Sequence, residues 1–183
     1  ALLYYLRQHP KIHAASVETH FFETNEYKKG SDYLENEYFQ NVGRDKVLGE
    51  KTPTYLFLSY VAERIYSMFP DTKIIAMVRN PVDRAYSHWW MQYTNGIEKL
   101  EFDEAIQKSI EEVEKGKDFK GPKGYRFRQN FLKQYLQNNN LISRVEYIEQ
   151  GFYDKHIRRF KRFFPDESIK IIPLKDLSKN TEN

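Results

Sequence analysis

The chain has 183 residues, 40% of them apolar and 30% charged, and a formal net charge of +3 from 29 basic against 26 acidic residues. That length suits one domain around a single core, the charge excess is too small for a dedicated duplex-DNA binder, and no run approaches the roughly 18 consecutive apolar residues of a membrane helix. The lack of cysteine excludes disulfides, zinc thiolate sites and a cysteine nucleophile, and it points towards a reducing compartment, the cytoplasm.

Leu2 to His9 carries apolar residues at helical spacing and stops before Pro10, so it reads as the tail of a helix. No cleavage-site pattern opens the chain, and a preceding anchor with a Golgi-lumenal location stays open. Ala14 to Phe22 (AASVETHFF) is expected to be a strand with its exit loop, followed by a polar stretch to Asp45. Val47 and Leu48 form a short apolar run before GEKTP, and Tyr60 to Phe69 resumes helical periodicity. Lys73 to Val78 (KIIAMV), bounded by Pro70-Asp71 and Asn80-Pro81, has the pattern of a buried parallel strand. It predicts a central strand over Ile74 to Val78 with helices on both faces and a buried Ile75.

Asn80 as N-cap, Pro81 at the first helical position and Asp83 in the first turn predict a helix towards Asn95-Gly96. A charged helix follows from about Phe102 to Lys115, then a loop over Lys117 to Gly124, a helix over Phe131 to Gln137 and another over Gly151 to Phe164. The basic run Lys155 to Arg162 reads as the solvated face of that last helix, with Phe152, Ile157, Phe160 and Phe164 on the other face. Ile169 to Leu174 closes the series as a strand. Alternating strands and helices predict an α/β fold with a parallel sheet between helical layers, and ligands in such folds bind beyond the carboxyl ends of the strands. The residues after Val17, Leu48 and Val78 therefore carry the functional argument. The 16% aromatic content suits a heavy core and equally a cleft that stacks adenine or sugar rings.

In IIAMVRNPVDRAYSHWW, Arg79 leaves the strand end and Ser87 lies two turns along the next helix. A planar guanidinium, a hydroxyl and a helix start together suit a phosphate group, although an isolated Arg at a strand end is more often just a salt-bridge residue. The segment resembles the R-N/D-P-x-x-R-A-x-S motif of the sulfotransferases, closest to the heparan sulfate and glycosaminoglycan type. The resemblance implies that Arg79 and Ser87 bind the 3′-phosphate of 3′-phosphoadenosine 5′-phosphosulfate, that Arg84 supports them, and that His88 to Trp90 line the neighbouring wall. Val17 to Glu23 (VETHFFE) is similar to the family's catalytic-base segment, which implies Glu18 as general base and His20 beside it. Glu18 and His20 would share one side of an extended segment. Glu23 stands where the family commonly has Asp and is expected at the acceptor.

Glu50 to Tyr55 (EKTPTY) resembles the family's E-K-T/S-P-x-Y element, in which Lys51 faces the acceptor and the transferred group. Thr52-Pro53 could also cap the next helix. The Gly151 to Pro165 and Ile169 to Leu177 segments resemble an architectural helix and strand, with Gly151 and Tyr153 bordering the nucleotide.

The resemblance implies a three-layer, P-loop-like sulfotransferase fold, one incomplete domain over residues 1–183, truncated at both ends. A K-x-G-T-[ST] loop around the 5′-phosphosulfate is expected before Ala1, and a second cofactor loop after Asn183. The implied reaction moves a sulfuryl group to a hydroxyl or amine of a carbohydrate-like acceptor and leaves 3′-phosphoadenosine 5′-phosphate, with no metal, nucleic acid or membrane involved. Two other readings are a carbohydrate-binding module of the same fold without catalysis and a P-loop kinase-like transferase. The kinase reading requires GxxxxGK[ST], which is nowhere in the sequence. An intact K-x-G-T-[ST] loop in the preceding residues would favour the enzyme over the binding module.

Overall fold

The computed structural model describes residues 2–114 and 146–179. The expected loop over Lys117 to Gly124 and helix over Phe131 to Gln137 lie outside them. A short helix α1, Leu2–Leu6, leads into β1, Ile12–Ala14. The chain then forms 3₁₀ turns at Phe21–Glu23 and Asn25–Lys29 and a helix α2, Ser31–Tyr38. Strand β2, Val47–Gly49, is followed by a 3₁₀ turn at Pro53–Leu56 and by α3, Val61–Met68. Strand β3, Ile74–Val78, runs into α4, Pro81–Thr94, and Gly96 at φ 69° supplies the left-handed residue that turns the chain towards α5, Phe102–Glu114. A 3₁₀ turn at Glu149–Gly151 precedes α6, Tyr153–Phe160, then come β4, Ile169–Pro173, and α7, Leu174–Lys179.

The described strands form two parallel pairs. β1 pairs with β2 in the register Ile12 to Val47 and Ala14 to Gly49, and β3 pairs with β4 from Ile74 to Ile169 through Val78 to Pro173. Parallel strands connected through helices are the α/β arrangement that the alternation predicts.

Three local expectations need correction. The strand after α1 ends at Ala14 and does not run into the Val17–Phe22 segment, because the polar Ser16, Glu18 and Thr19 leave the ladder there. The polar stretch before Asp45 contains a helix, α2, which buries only Leu34 and so leaves almost no apolar periodicity to read. Ile75 is 42% exposed and β3 pairs only with β4 among the described residues, so β3 is not the fully buried central strand expected from KIIAMV. Alternating side chains put Ala76 inside and Ile75 on the opposite face, which no described element covers fully.

The main core gathers Phe21, Phe22, Leu34, Leu58, Val61, Phe160 and Phe164, with Ile74 and Ile169 packed against it from the strand pair. Burying each such side chain contributes about 1.5–3 kcal/mol. A second cluster, Ala85, Trp89, Ala105 and Tyr147, joins α4 to α5 and to the turn before α6.

The Asn80 side chain accepts hydrogen bonds from the N–H groups of Val82 (2.9 Å) and Asp83 (3.4 Å), and Pro81 occupies the first position of α4. This is the predicted cap. Asn80→Ala should lower the unfolding free energy by about 0.5–2 kcal/mol, read from the urea midpoint at unchanged m-value, while Asn80→Asp retains most of it.

Candidate active site

The ladder between β1 and β2 ends with the Ala15 N–H donating to Gly49 O at 2.8 Å. Beyond that bond the two strand exits are joined through side chains. Lys51 Nζ donates to Glu18 Oε1, an ion pair on the exposed rim. His20 Nε2 lies 3.9 Å from Glu18 Oε2, and His20 Nδ1 lies 2.8 Å from Glu23 Oε1. Glu23 is only 1% exposed, and the Thr54 hydroxyl donates to its other oxygen. A carboxylate so deep is stable only with such partners. Glu18, His20, Glu23 and Lys51 therefore meet in one cluster. Glu18 and His20 come together through a turn, not through strand alternation, since His20 is left-handed at φ 52° and its carbonyl accepts from Glu23 (3.3 Å) and Thr24 (3.1 Å).

Beneath this rim lies a network that the sequence reading did not single out. The Thr19 hydroxyl donates to Glu50 Oε2 at 2.8 Å and the Thr52 hydroxyl donates to the same oxygen at 3.3 Å. Thr52 Oγ1 accepts the His20 N–H (3.3 Å), and the Tyr55 hydroxyl accepts the Phe22 N–H (3.1 Å). Thr52 thus precedes the Pro53–Leu56 turn without capping it, because its hydroxyl is already engaged across to the first segment. Burial raises the Glu50 carboxyl above its ordinary value, and hydrogen bonds from Thr19, Tyr55 and Thr52 and the nearby His20 only partly oppose this. Burial, with the Glu50 charge beside it, also pushes the Tyr55 phenol well up.

Arg79 and Ser87 line one cleft of about 340 Å³ together with Val82, Asp83, Tyr86, Trp90 and Phe102. On α4 the residues 82, 86 and 90 repeat every four positions and face this cleft, with Asp83 and Ser87 beside them. Helical phase sends the others inward. Trp89 is buried with its indole N–H on Leu100 O at 3.0 Å, and the half-buried His88 stacks edge-on against Tyr147 at 5.3 Å. The wall expected from His88 to Trp90 thus comes down to Trp90. Arg84 points towards the turn before α6, donating to Tyr147 O and to Gln150 Oε1 at 3.4 Å. Its guanidinium is held below the ordinary value by burial first and by the charge of Arg79 as well. Gly151 packs on the start of α4, where an added Cβ would come 3.2 Å from Pro81 Cβ. Among the described residues no group of three or more His, Cys, Asp or Glu is placed to hold a metal ion, and no helix is long and apolar enough to cross a membrane.

Residues 5–134 match the family model described as the sulfotransferase family. The chain belongs to the sulfotransferase family. The chain is 30% identical over 175 residues to mouse heparan sulfate glucosamine 3-O-sulfotransferase 5, covering 94% of this chain and 43% of that protein. It is 39% identical over 89 residues to human heparan sulfate glucosamine 3-O-sulfotransferase 6, covering 49% of this chain and 25% of that protein. The chain thus spans less than half the length of these relatives. A crystal structure of a sulfotransferase from Alicyclobacillus acidocaldarius superposes with a TM-score of 0.70 at 25% identity, covering 96% of this chain and 68% of that one.

The raised Glu50 carboxyl has a stability consequence of defined sign. A carboxyl whose folded pKa lies above its unfolded one favours folding fully below the unfolded value, and this favour is lost as pH rises through the raised folded value. Glu50→Gln removes the titration while keeping an acceptor oxygen. The difference in unfolding free energy, Glu50→Gln minus wild type, should therefore be more positive at pH 8 than at pH 4, measured by urea denaturation at both pH values.

Proposed function

We propose that this sulfotransferase moves the sulfuryl group of 3′-phosphoadenosine 5′-phosphosulfate to a hydroxyl or amine of a carbohydrate acceptor, with Glu18 as the general base. The observation that carries this reading is the direct Glu18–Lys51 contact across two strand exits, which sets a proton acceptor beside a fixed cation. Glu18 would take the proton of the acceptor hydroxyl or amine as the new bond to sulfur forms. Lys51 would set its charge against the oxygens on which negative charge builds. The buried Glu23 holds the His20 ring at Nδ1, leaving Nε2 turned towards Glu18.

The donor supplies the activated sulfuryl group. The residues of the Arg79 cleft fit its 3′-phosphate: Arg79 brings a guanidinium fork, Ser87 a hydroxyl, and both line the same exposed cavity. Because Asn80 already occupies the N–H groups of Val82 and Asp83, the grip would rest on these side chains more than on the helix start. A carbohydrate acceptor is supported by the relatives named heparan sulfate glucosamine 3-O-sulfotransferases.

Two substitutions in the full-length protein separate the roles. Glu18→Gln keeps shape and removes the proton acceptor, so kcat should fall by about 10²–10⁴ with affinity for 3′-phosphoadenosine 5′-phosphate nearly unchanged. Arg79→Ala should instead weaken that affinity by about thirty-fold to a hundred-fold, the value of a charge-assisted hydrogen bond, read by calorimetry. Full turnover by Glu18→Gln at saturating substrates would remove Glu18 as the base and make His20 the residue to test. Unchanged nucleotide affinity in Arg79→Ala would remove the cleft assignment.

A further inference from the structure

Resting on that reading, we propose that Glu50 is a positioning residue: its single oxygen Oε2, accepting from Thr19 at 2.8 Å and Thr52 at 3.3 Å, sets the spacing of the Glu18–Lys51 pair. Each of these threonines is the chain neighbour of a reacting group, Thr19 standing between Glu18 and His20, and Thr52 following Lys51. Both are buried, at 4% and 7% exposure, so their hydroxyls need protein partners.

The clamp matters because the backbone ladder between the exits stops at Ala15 and Gly49, before either reacting residue. From there, the His20 N–H to Thr52 Oγ1 bond (3.3 Å) and the Phe22 N–H to Tyr55 hydroxyl bond (3.1 Å) carry the register onward. Thr19 Oγ1 lies 3.3 Å from the same Tyr55 hydroxyl and accepts the Phe21 N–H at 3.3 Å. Glu50 orients the hydroxyls at the centre of this set. Apolar packing alone would hold the segments together without fixing where Glu18 stands relative to Lys51. A rim pair in solvent has little orientation of its own, since exposed ion pairs contribute only about 0–1 kcal/mol.

The role assigned to Glu50 is to accept two hydrogen bonds, and the acceptor oxygen of a glutamine can do the same. Glu50→Gln should therefore retain kcat within about threefold, while Glu50→Ala should lose about 10- to 100-fold, the scale of a misplaced reacting group. KM for the donor should stay within about twofold in both, because the Arg79 cleft is untouched. Thr19→Val, which keeps shape and removes one donor, should reproduce the Ala phenotype if Glu50→Ala folds poorly. Activity is measured on the full-length protein with 3′-phosphoadenosine 5′-phosphosulfate and heparan sulfate as acceptor. Amide hydrogen exchange, read on the same proteins, should quicken about tenfold or more at His20 and Phe22 in Glu50→Ala and stay unchanged at Phe69 in α3.

Wild-type kcat in Glu50→Ala, or unchanged exchange at His20 and Phe22, overturns the proposal. So does a Glu50→Gln variant as slow as Glu50→Ala, which would make the charge or proton of Glu50 the active feature. A wild-type protein that transfers no sulfuryl group while its His20 and Phe22 amides are protected overturns the functional reading and with it the positioning role. In that case the exchange data show that the clamp itself is real.

Discussion

The backbone at His20 turns left-handed, and five consecutive residues around that turn serve the core and the site together. Phe21 and Phe22 enter the main cluster at 0% and 4% exposure, while Thr19, His20 and Glu23 face the cluster beside Lys51. A non-glycine residue in this region costs about 1–3 kcal/mol, though His tolerates it better than most. Burial of the two rings contributes about 1.5–3 kcal/mol each, so the core outweighs the strain. Arg64 of α3 secures the turn further by donating to Phe22 O at 2.8 Å, with its guanidinium 4.4 Å from the Tyr60 ring centroid. Core packing thus fixes the turn that carries the site, and the polar contacts beneath the rim set the finer spacing of its groups.

Two carboxylates lie beneath that rim, and each is accommodated differently. Glu23 lies against the His20 ring with one oxygen and accepts from the Thr54 hydroxyl with the other. Glu50 faces hydroxyls alone at hydrogen-bonding distance, with His20 acting only at longer range, so desolvation dominates and its carboxyl is raised. The difference means that Glu23 holds the His20 ring in place while Glu50 serves mainly as an acceptor of fixed direction.

What could be read from the sequence follows the range of the interactions. β3, β4 and the α4 cap were legible because β-branched runs, Asn-Pro chemistry and periodicity are local signals. Helix α2 was not, since it fully buries only Leu34 and its other core-facing residues, Tyr33 and Tyr38, are half-buried rings among polar neighbours. The motifs brought Glu18, His20, Glu23 and Lys51 forward, and the structure sets them in contact. Glu50 stood in the quoted EKTPTY element without a role, and Thr19 drew no notice, because the bond between them spans 31 positions. The misplaced wall residues had a readable cause: counting from Ser87 at 3.6 residues per turn already sends His88 and Trp89 away from Ser87 and returns Trp90 towards it.

The start of α4 shows why side chains must set the affinity of the proposed anion cleft. Asn80 takes two of the first N–H groups, and Gly151 lies against Pro81, so the helix terminus is largely satisfied from within. Arg84 is committed to Tyr147 and Gln150, yet burial and the nearby Arg79 both disfavour its charge. Arg79 thus stands near a second guanidinium, with Asp83 on the same cleft wall. The proposed anion cleft would therefore depend on Arg79, exposed on the same lining as Ser87, for its charge-assisted grip.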